Sequence, residues 1–290
     1  MAEDNNATRA LVLGGGGAAG NAWEIGVIAG LREAGLDVTD ADLIVGTSAG
    51  ATTAAQITAA SPTQLFAAVL DAPPVARGGG AVVVIADHME RLRRTITEAQ
   101  EPADLRRRIG AAALARDPDG TGHPHWRETV ADRLPSPDWP TTTIRITAVD
   151  ACTGEPVVFD RHSGVELVDA VAASTSASVP HRIGDRRYID GGYRRNENAD
   201  LAAGYDRVVV LSPFGGRSLH PPEWGTQLAT QVDELRAGGS TVATVLPDAA
   251  AVAAFGENVM DLSTRPPAAR AGYAQGRAMA AELAVLWVPS

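Results

Sequence analysis

Apolar positions along this chain fall into two recurring patterns. Some form short continuous runs that end in glycine, and others return every three or four residues over longer stretches. Ala10-Leu11-Val12-Leu13 is a run of the first kind and predicts a strand buried on both faces, as in a parallel sheet. Over residues 18 to about 34 the second pattern takes over. Trp23, Val27 and Leu31 stand four apart, which predicts a helix ended by Gly35. Leu43-Ile44-Val45 predicts a second buried strand, and residues 49–60 a helix of small residues. Strand, helix, strand, helix implies parallel pairing through a right-handed crossover.

Further along, residues 142–149 alternate as a strand, which 156–159 can join across a turn at Thr153-Gly154. Residues 187–190, 207–211 and 240–246 read as more strands, and 165–173 as a helix. Residues 264–287 are alanine-rich and helical, suited to a closing layer. Between about 73 and 140 the character changes, with the cluster Gly78-Gly79-Gly80, two arginine clusters, scattered prolines and helix-like runs. This stretch predicts a helical excursion beside the sheet. There is no internal repeat and no linker, so 1–290 reads as one α/β domain.

Composition narrows the partners. Hydrophobic residues make up 45% of the chain, enough for a large core. The net charge is −10, and all 25 basic residues are arginine, so the overall field attracts neither nucleic acid nor anionic membrane. Cys152 is the only cysteine, which excludes an intrachain disulfide, and its place at a strand end predicts a packing role. No run approaches the ~18 apolar residues of a membrane span, and the acidic start has no signal-like segment. The expectation is a soluble, cytoplasmic protein, at most peripheral to a membrane.

The first strand runs into Gly14-Gly15-Gly16-Gly17-Ala18-Ala19-Gly20, a loop open to three readings. Gly15-x-Gly17-x-x-Gly20 fits a dinucleotide fingerprint, but the second strand ends Ile44-Val45-Gly46 without the carboxylate that would hold a ribose. A phosphate-binding loop of the Gly-x-x-x-x-Gly-Lys-Ser/Thr kind fits worse, because Asn21-Ala22 stands where Lys-Ser/Thr belongs. The third reading is an oxyanion hole, in which glycines let backbone amides converge on developing negative charge.

After the second strand comes Gly46-Thr47-Ser48-Ala49-Gly50, a G-x-S-x-G elbow between strand and helix. In that context Ser48 is a nucleophile candidate, while Gly46 and Gly50 make room for the helix to pack. An α/β-hydrolase of the ordinary order would supply a late histidine. Here the elbow comes too early for that fold. His88, His123, His125, His162, His181 and His220 lie in charged or proline-containing stretches, where surface positions are expected. Asp190 is the better base. It closes an apolar strand in Tyr188-Ile189-Asp190-Gly191-Gly192, where two glycines permit a positive-φ turn, and burial would raise its carboxyl toward a useful range. Serine as a helix cap and Asp-Gly as a plain turn are the structural alternatives.

Gly15-Gly16-Gly17-x-x-Gly20, Gly46-Thr47-Ser48-Ala49-Gly50 and Asp190-Gly191-Gly192 together resemble the patatin-like phospholipase family over roughly the first 210 residues. Flanking pieces are similar as well: Ala22-Trp23-Glu24 with Gly26, Ala172-Ala173-Ser174, and Asn198-Ala199-Asp200-Leu201. The resemblance implies a three-layer α/β/α sandwich with a mostly parallel sheet and a Ser48–Asp190 dyad without histidine. It also implies oxyanion donors at Gly15, Gly16 and Gly17, helped by Ala49, and hydrolysis of lipid or phospholipid acyl esters through an acyl-enzyme, with no metal or cofactor. Such a substrate would bring transient contact with a membrane surface. Two departures bear on substrate class. Ala19 stands where many relatives hold Arg or Lys, and the segment 174–187 is compact.

Two rivals stay open at this level. One keeps the dyad but acts on small soluble esters or thioesters. The other is a non-catalytic protein that binds a nucleotide or partner through the glycine loop. Arg91, Arg93 and Arg94, with Arg106, Arg107 and Arg108, could meet phosphate headgroups, but solvated helix faces paired with Glu90, Glu98 and Asp104 are the preferred reading.

Overall fold

The computed structural model describes residues 7–73, 79–121 and 125–288, with the backbone alone for 79–88. Eight strands form one sheet: β1 (Arg9–Leu13), β2 (Leu43–Gly46), β3 (Thr143–Asp150), β4 (Pro156–Phe159), β5 (His181–Ile183), β6 (Arg186–Asp190), β7 (Arg207–Leu211) and β8 (Thr241–Val245). Neighbours run β5-β6-β3-β2-β1-β7-β8, with β4 also paired to β3. The run β3-β2-β1-β7-β8 is parallel throughout, while β4 and β6 are antiparallel to β3.

The register of β3 positions the site. Ile146 pairs with both Gly46 and Phe159, so β2 and β4 lie on opposite edges of β3. Ala148 pairs with both Val157 and Asp190, which puts β6 on the edge that β2 occupies. The two strands therefore meet end to end along one edge. Asp190 arrives two positions beyond the last pair of β2, a rise of roughly 7 Å along β3.

Ten helices are described: α1 (Gly17–Glu33), α2 (Ala49–Ile57), α3 (Pro62–Asp71), α4 (Gly79–Glu98), α5 (Pro102–Arg116), α6 (Trp126–Ala131), α7 (Leu167–Ser174), α8 (Leu228–Ala237), α9 (Ala249–Phe255) and α10 (Arg265–Trp287). The period-two alternation of the strands divides the core. Leu11, Leu13, Ile44 and Leu211 face a large cluster built with α1, α2, α7 and α10. Ala10, Val12, Leu43 and Val210 face the other way, onto α8 and Ala199 and Ala202. Val149 and Ile189 join Ile96, Leu105 and Ile109 of α4 and α5. Helices on both faces of a mostly parallel sheet make the three-layer α/β/α sandwich.

α1 is buried from Ala19 through Leu31, on every side rather than along one stripe. α10 covers the face that the sheet leaves free. The two backbones touch: a Cβ on Gly26 would stand 2.2 Å from the Ala269 carbonyl oxygen, and one on Gly276 2.2 Å from that of Val27. Such contacts admit glycine alone. Gly276→Val is expected to destabilise the protein by about 3 kcal/mol and to lower its melting temperature by roughly 10 °C. An unchanged thermal melt would show that α10 does not seat on α1 in this way.

Several expectations are met, including the β3–β4 hairpin and the Gly35 stop, where φ is +90° and the Leu36 amide donates to Leu31 at 2.9 Å. The strand β5 and the helices α3, α8 and α9 go beyond what the pattern indicated. β5 is three residues long and has no fully buried position, so it leaves no apolar run to read. Two side-chain expectations fail. Cys152 is exposed in its turn rather than packed. His220 is buried and His181 largely so, held by Thr226 (3.0 Å) and Asp169 (2.9 Å), because local polarity does not report what folds over a loop. Gly78, His123 and the side chain of His88 lie outside the described residues.

Candidate active site

Ser48 stands between the last residue of β2 and the first turn of α2, at φ 53° and ψ −114°. A side chain in that left-handed region is strained, a conformation that persists only where its surroundings enforce it. The enforcement is visible. The Thr47 amide donates to the Leu13 carbonyl (3.0 Å), the Gly50 amide to Thr47 and Gly14 (2.8 and 3.1 Å), and the Ser48 amide to Ser174 Oγ (2.9 Å). A Cβ on Gly50 would lie 2.1 Å from the Leu13 carbonyl oxygen and one on Gly46 2.6 Å from Ala51 Cα, so both glycines serve close packing of α2 on the sheet.

Asp190 ends β6 and is buried. The Ser48 hydroxyl faces its carboxylate, and the Gly192 amide donates to Oδ1 at 2.8 Å. Burial pushes the carboxyl up to about 6, against the pull of these two hydrogen bonds. Gly191 and Gly192 work differently from the turn expected of them. Neither has positive φ, and Gly191–Tyr193 forms a 3-10 turn. Gly191 is required by proximity, since a Cβ there would stand 2.2 Å from Thr147 Oγ1. Beside them Tyr193 is buried and donates its hydroxyl to the Ala177 carbonyl, tying the 3-10 turn to the segment after α7. Burial first, and the Asp190 charge second, push its phenol well above the ordinary range.

The glycine loop lies against the elbow. A Cβ on Gly15 would come within 3.5 Å of Ser48 Cβ. Gly14 donates its amide to Leu211 and Gly15 donates its amide to the Asn196 carbonyl, each at 3.0 Å. Among the described residues the amides of Gly16, Gly17 and Ala49 have no acceptor. Those of Gly17 and Ala49 open α1 and α2, where the helix dipole favours negative charge. Gly17 takes φ +64°, the position in the loop that needs glycine for its conformation.

The structure adds polar residues that the motifs did not assign a role. Ser174 accepts from the Ser48 amide, and Asn196, Glu197 and Asn198 lie among the three motif segments. Ser174 and Asn198 stood in the flanking pieces of the resemblance, but nothing in a linear motif says what they touch. Among the described residues no histidine bonds to Ser48 or Asp190, and no group of His, Cys, Asp and Glu could hold a metal. The arginines of α5 are engaged locally: Arg108 with Asp104 at 2.8 Å, and Arg106 with the Gly154 carbonyl at 2.7 Å.

Glu24, in α1 behind the elbow, is fully buried. Its Oε2 accepts from Thr53 Oγ1 of α2 at 2.6 Å, the Gly14 backbone lies beside the carboxyl, and among the described residues Oε1 makes no hydrogen bond of normal geometry. Burial holds this carboxyl well above the usual range, against hydrogen bonds that favour the ionised form. Below the unfolded pKa, near 4.3, both states are protonated and burial has no pH-linked cost. As pH rises beyond that value the unfolded chain ionises and the folded one does not, so stability falls until the folded group titrates. The stability gap between Glu24→Gln and wild type is therefore expected to shift in favour of the variant between pH 5 and pH 8. Denaturant melts whose gap stays constant with pH would sink this reading.

The family model described as Patatin-like phospholipase matches residues 11–203. Among solved structures, the chain is similar to VipD from Legionella pneumophila at 13% identity and a TM-score of 0.43, over 95% of this chain and 67% of VipD. It is also similar to the type III effector protein ExoU at 16% identity and a TM-score of 0.38, over 94% of this chain and 53% of that one. Full-length ExoU from Pseudomonas aeruginosa, solved with SpcU, aligns at 20% identity and a TM-score of 0.35, over 93% of this chain and 52% of ExoU. The chain thus spans about half the length of ExoU. The comparison with curated proteins finds no match. The matched span runs from β1 past Asp190 and holds the glycine loop, the elbow and the Asp-Gly-Gly turn: this chain belongs to the patatin-like phospholipase family.

Proposed function

We propose that this protein is a serine hydrolase of lipid or phospholipid acyl esters, working through a Ser48–Asp190 dyad and an acyl-enzyme. The observation that carries the proposal is the strained, partly exposed Ser48 facing a buried carboxyl, raised to about 6, that no cation among the described residues touches. Asp190 takes the Ser48 proton as Oγ attacks the ester carbonyl carbon. The carbonyl oxygen becomes an oxyanion, for which Gly16, Gly17 and Ala49 offer unpaired amides. Gly15, its amide already committed to Asn196, holds the loop instead of donating. Collapse of the tetrahedral species breaks the ester C–O bond, and the leaving alcohol carries away the proton from Asp190. Water, deprotonated by Asp190, then attacks the acyl-enzyme; the C–Oγ bond breaks, the carboxylic acid leaves, and Ser48 Oγ takes the proton back from Asp190.

A lipid substrate is supported by Met260, 53% exposed, which lies against Gly17 and gives the loop an apolar flank. Among the described residues no helix is long and apolar enough to cross a membrane, so lipid would be met at a surface. This reading takes 1–290 as one hydrolase domain, since α10, beyond the matched span, braces the helix that carries the glycine loop.

The test is hydrolysis of zwitterionic phospholipid vesicles against a matched short-chain soluble ester, alongside fluorophosphonate labelling mapped to Ser48. Labelling with preference for vesicles is expected. Labelling with preference for the soluble ester would move the protein to the small-ester class. A folded protein that does not react would overturn the hydrolase reading and favour a non-catalytic role for the loop.

A further inference from the structure

Three segments far apart in sequence have to be held in register for the proposed chemistry: the glycine loop, the elbow and the Asp190 turn. The stretch Asn196-Glu197-Asn198 touches all of them. Asn198 Nδ2 lies 3.0 Å from Thr47 Oγ1 and 3.3 Å from the Gly191 carbonyl oxygen. Thr47 Oγ1 in turn lies 3.4 Å from the Glu197 carbonyl. Asn196 brackets the glycine loop. Its main-chain carbonyl accepts from the Gly15 amide at 3.0 Å, and its side-chain Nδ2 donates to the Gly15 carbonyl at 3.2 Å.

That second bond has a directional consequence. The Gly15 carbonyl and the Gly16 amide belong to one planar, trans peptide unit, so the N–H points opposite to the C=O. Flanked by glycine on both sides, this unit meets little steric resistance to rotation. Whatever holds the Gly15 oxygen therefore aims the Gly16 N–H. Asn196 is the side chain that holds it, and it is itself held. Its remaining Nδ2 hydrogen reaches Glu197 Oε1 at 3.0 Å, and that buried carboxylate is anchored by Ser212 Oγ at 2.6 Å and Gln231 Nε2 at 3.3 Å. Asn196 Oδ1 lies 2.7 Å from where a Gly15 Cβ would be, so the two are packed without slack.

We infer that Asn196 is a positioning residue that locks the Gly15–Gly16 peptide with its N–H toward the oxyanion site, an inference that rests on the hydrolase reading above. The side chain touches no reacting atom and acts through Gly16. Its loss is expected to weaken stabilisation of the transition state and to leave substrate binding and the Asp190 base as they are.

The experiment compares wild type, Asn196→Ala and the isosteric Asn196→Asp on a short-chain ester, with thermal melts as the folding control. Asn196→Ala is expected to lower kcat by on the order of 10- to 100-fold, somewhat less than deleting an oxyanion donor outright. KM should stay within about twofold and the pH midpoint should not move. Inhibition by a trifluoromethyl ketone, whose hemiketal oxyanion uses the same donors, should weaken by the factor that kcat/KM loses. Asn196→Asp, which sets a carboxylate against the Gly15 oxygen and Glu197, should lose at least as much, and it stands in if the alanine variant does not fold. Wild-type kcat in either folded variant overturns the inference, as does a loss carried by KM or by a shifted pH midpoint. Both results are read against wild-type labelling at Ser48: if wild type is inert, the hydrolase reading has failed, and if wild type reacts and the variants match it, this inference alone has.

Discussion

Ser48→Ala is expected to abolish fluorophosphonate labelling and to reduce ester hydrolysis by at least about 10⁴-fold, with the fold intact. The size follows from covalent chemistry. Without Oγ no acyl-enzyme forms, and what remains is binding plus whatever the loop amides do for a direct attack by water. The backbone at this position adds a second readout. Alanine keeps the strain of φ 53°, whereas glycine accepts it. Ser48→Gly should be as inactive as Ser48→Ala but melt higher, the strain at such a residue being about 1 kcal/mol. Residual labelling of the alanine variant would place the nucleophile elsewhere. Equal melting of the two variants would mean the elbow holds no strain.

Asp190→Asn is expected to lower kcat/KM by roughly 10³- to 10⁴-fold, because an amide cannot take the Ser48 proton while filling the same space. The wild-type pH profile tests the same assignment without a mutation. A base must be deprotonated to act, and the Asp190 carboxyl lies at about 6. Activity should fall tenfold per unit below pH 6 and level off above it. Stability has the opposite slope. The folded pKa is raised over the unfolded value near 3.9, so the cost of burial is absent below pH 4 and grows until about pH 6, reaching about 3 kcal/mol. At pH 8 Asp190→Asn should therefore be inactive and more resistant to denaturant than wild type. A pH profile flat from 5 to 8 would remove Asp190 as the base, and so would a variant labelled at the wild-type rate.

The two carboxyls that burial raises, Asp190 and Glu24, make the fold less stable as pH rises from acid toward neutrality. Both lie at or behind the elbow. On the proposed reading this is stability given up in return for a poised base, a common trade, and Ser48 makes a further contribution through its backbone. These contributions can be separated, since the Glu24 and Asp190 effects vary with pH and the Ser48 effect does not.

Much of the site was legible from sequence because its constraints are local. A strand that breaks into glycines and a G-x-S-x-G between strand and helix each describe a few consecutive dihedrals, and composition records those directly. α1 followed from four-residue periodicity, and α2 and α10 from runs of small, alanine-rich residues, for the same reason. Local polarity misled at His220, and a strand-end position misled at Cys152, because burial there depends on which distant segment folds over the turn. It also misread the purpose of Gly191: the residue was expected to supply positive φ, and it supplies room for Thr147.

The pairing of Ser48 with Asp190 is of another kind. Sequence alone placed a serine at a helix start, a glycine loop one strand earlier and an aspartate at the end of a later strand, while the strain at the serine is seen only in the structure. That the aspartate meets the serine was decided by tertiary structure, because β2 and β6 share one edge of β3 and stop within two residues of each other. Strand register is a long-range property, set by which faces can be buried together, and no window of sequence contains it. The same holds for Asn196, whose side chain reaches a carbonyl 181 residues away.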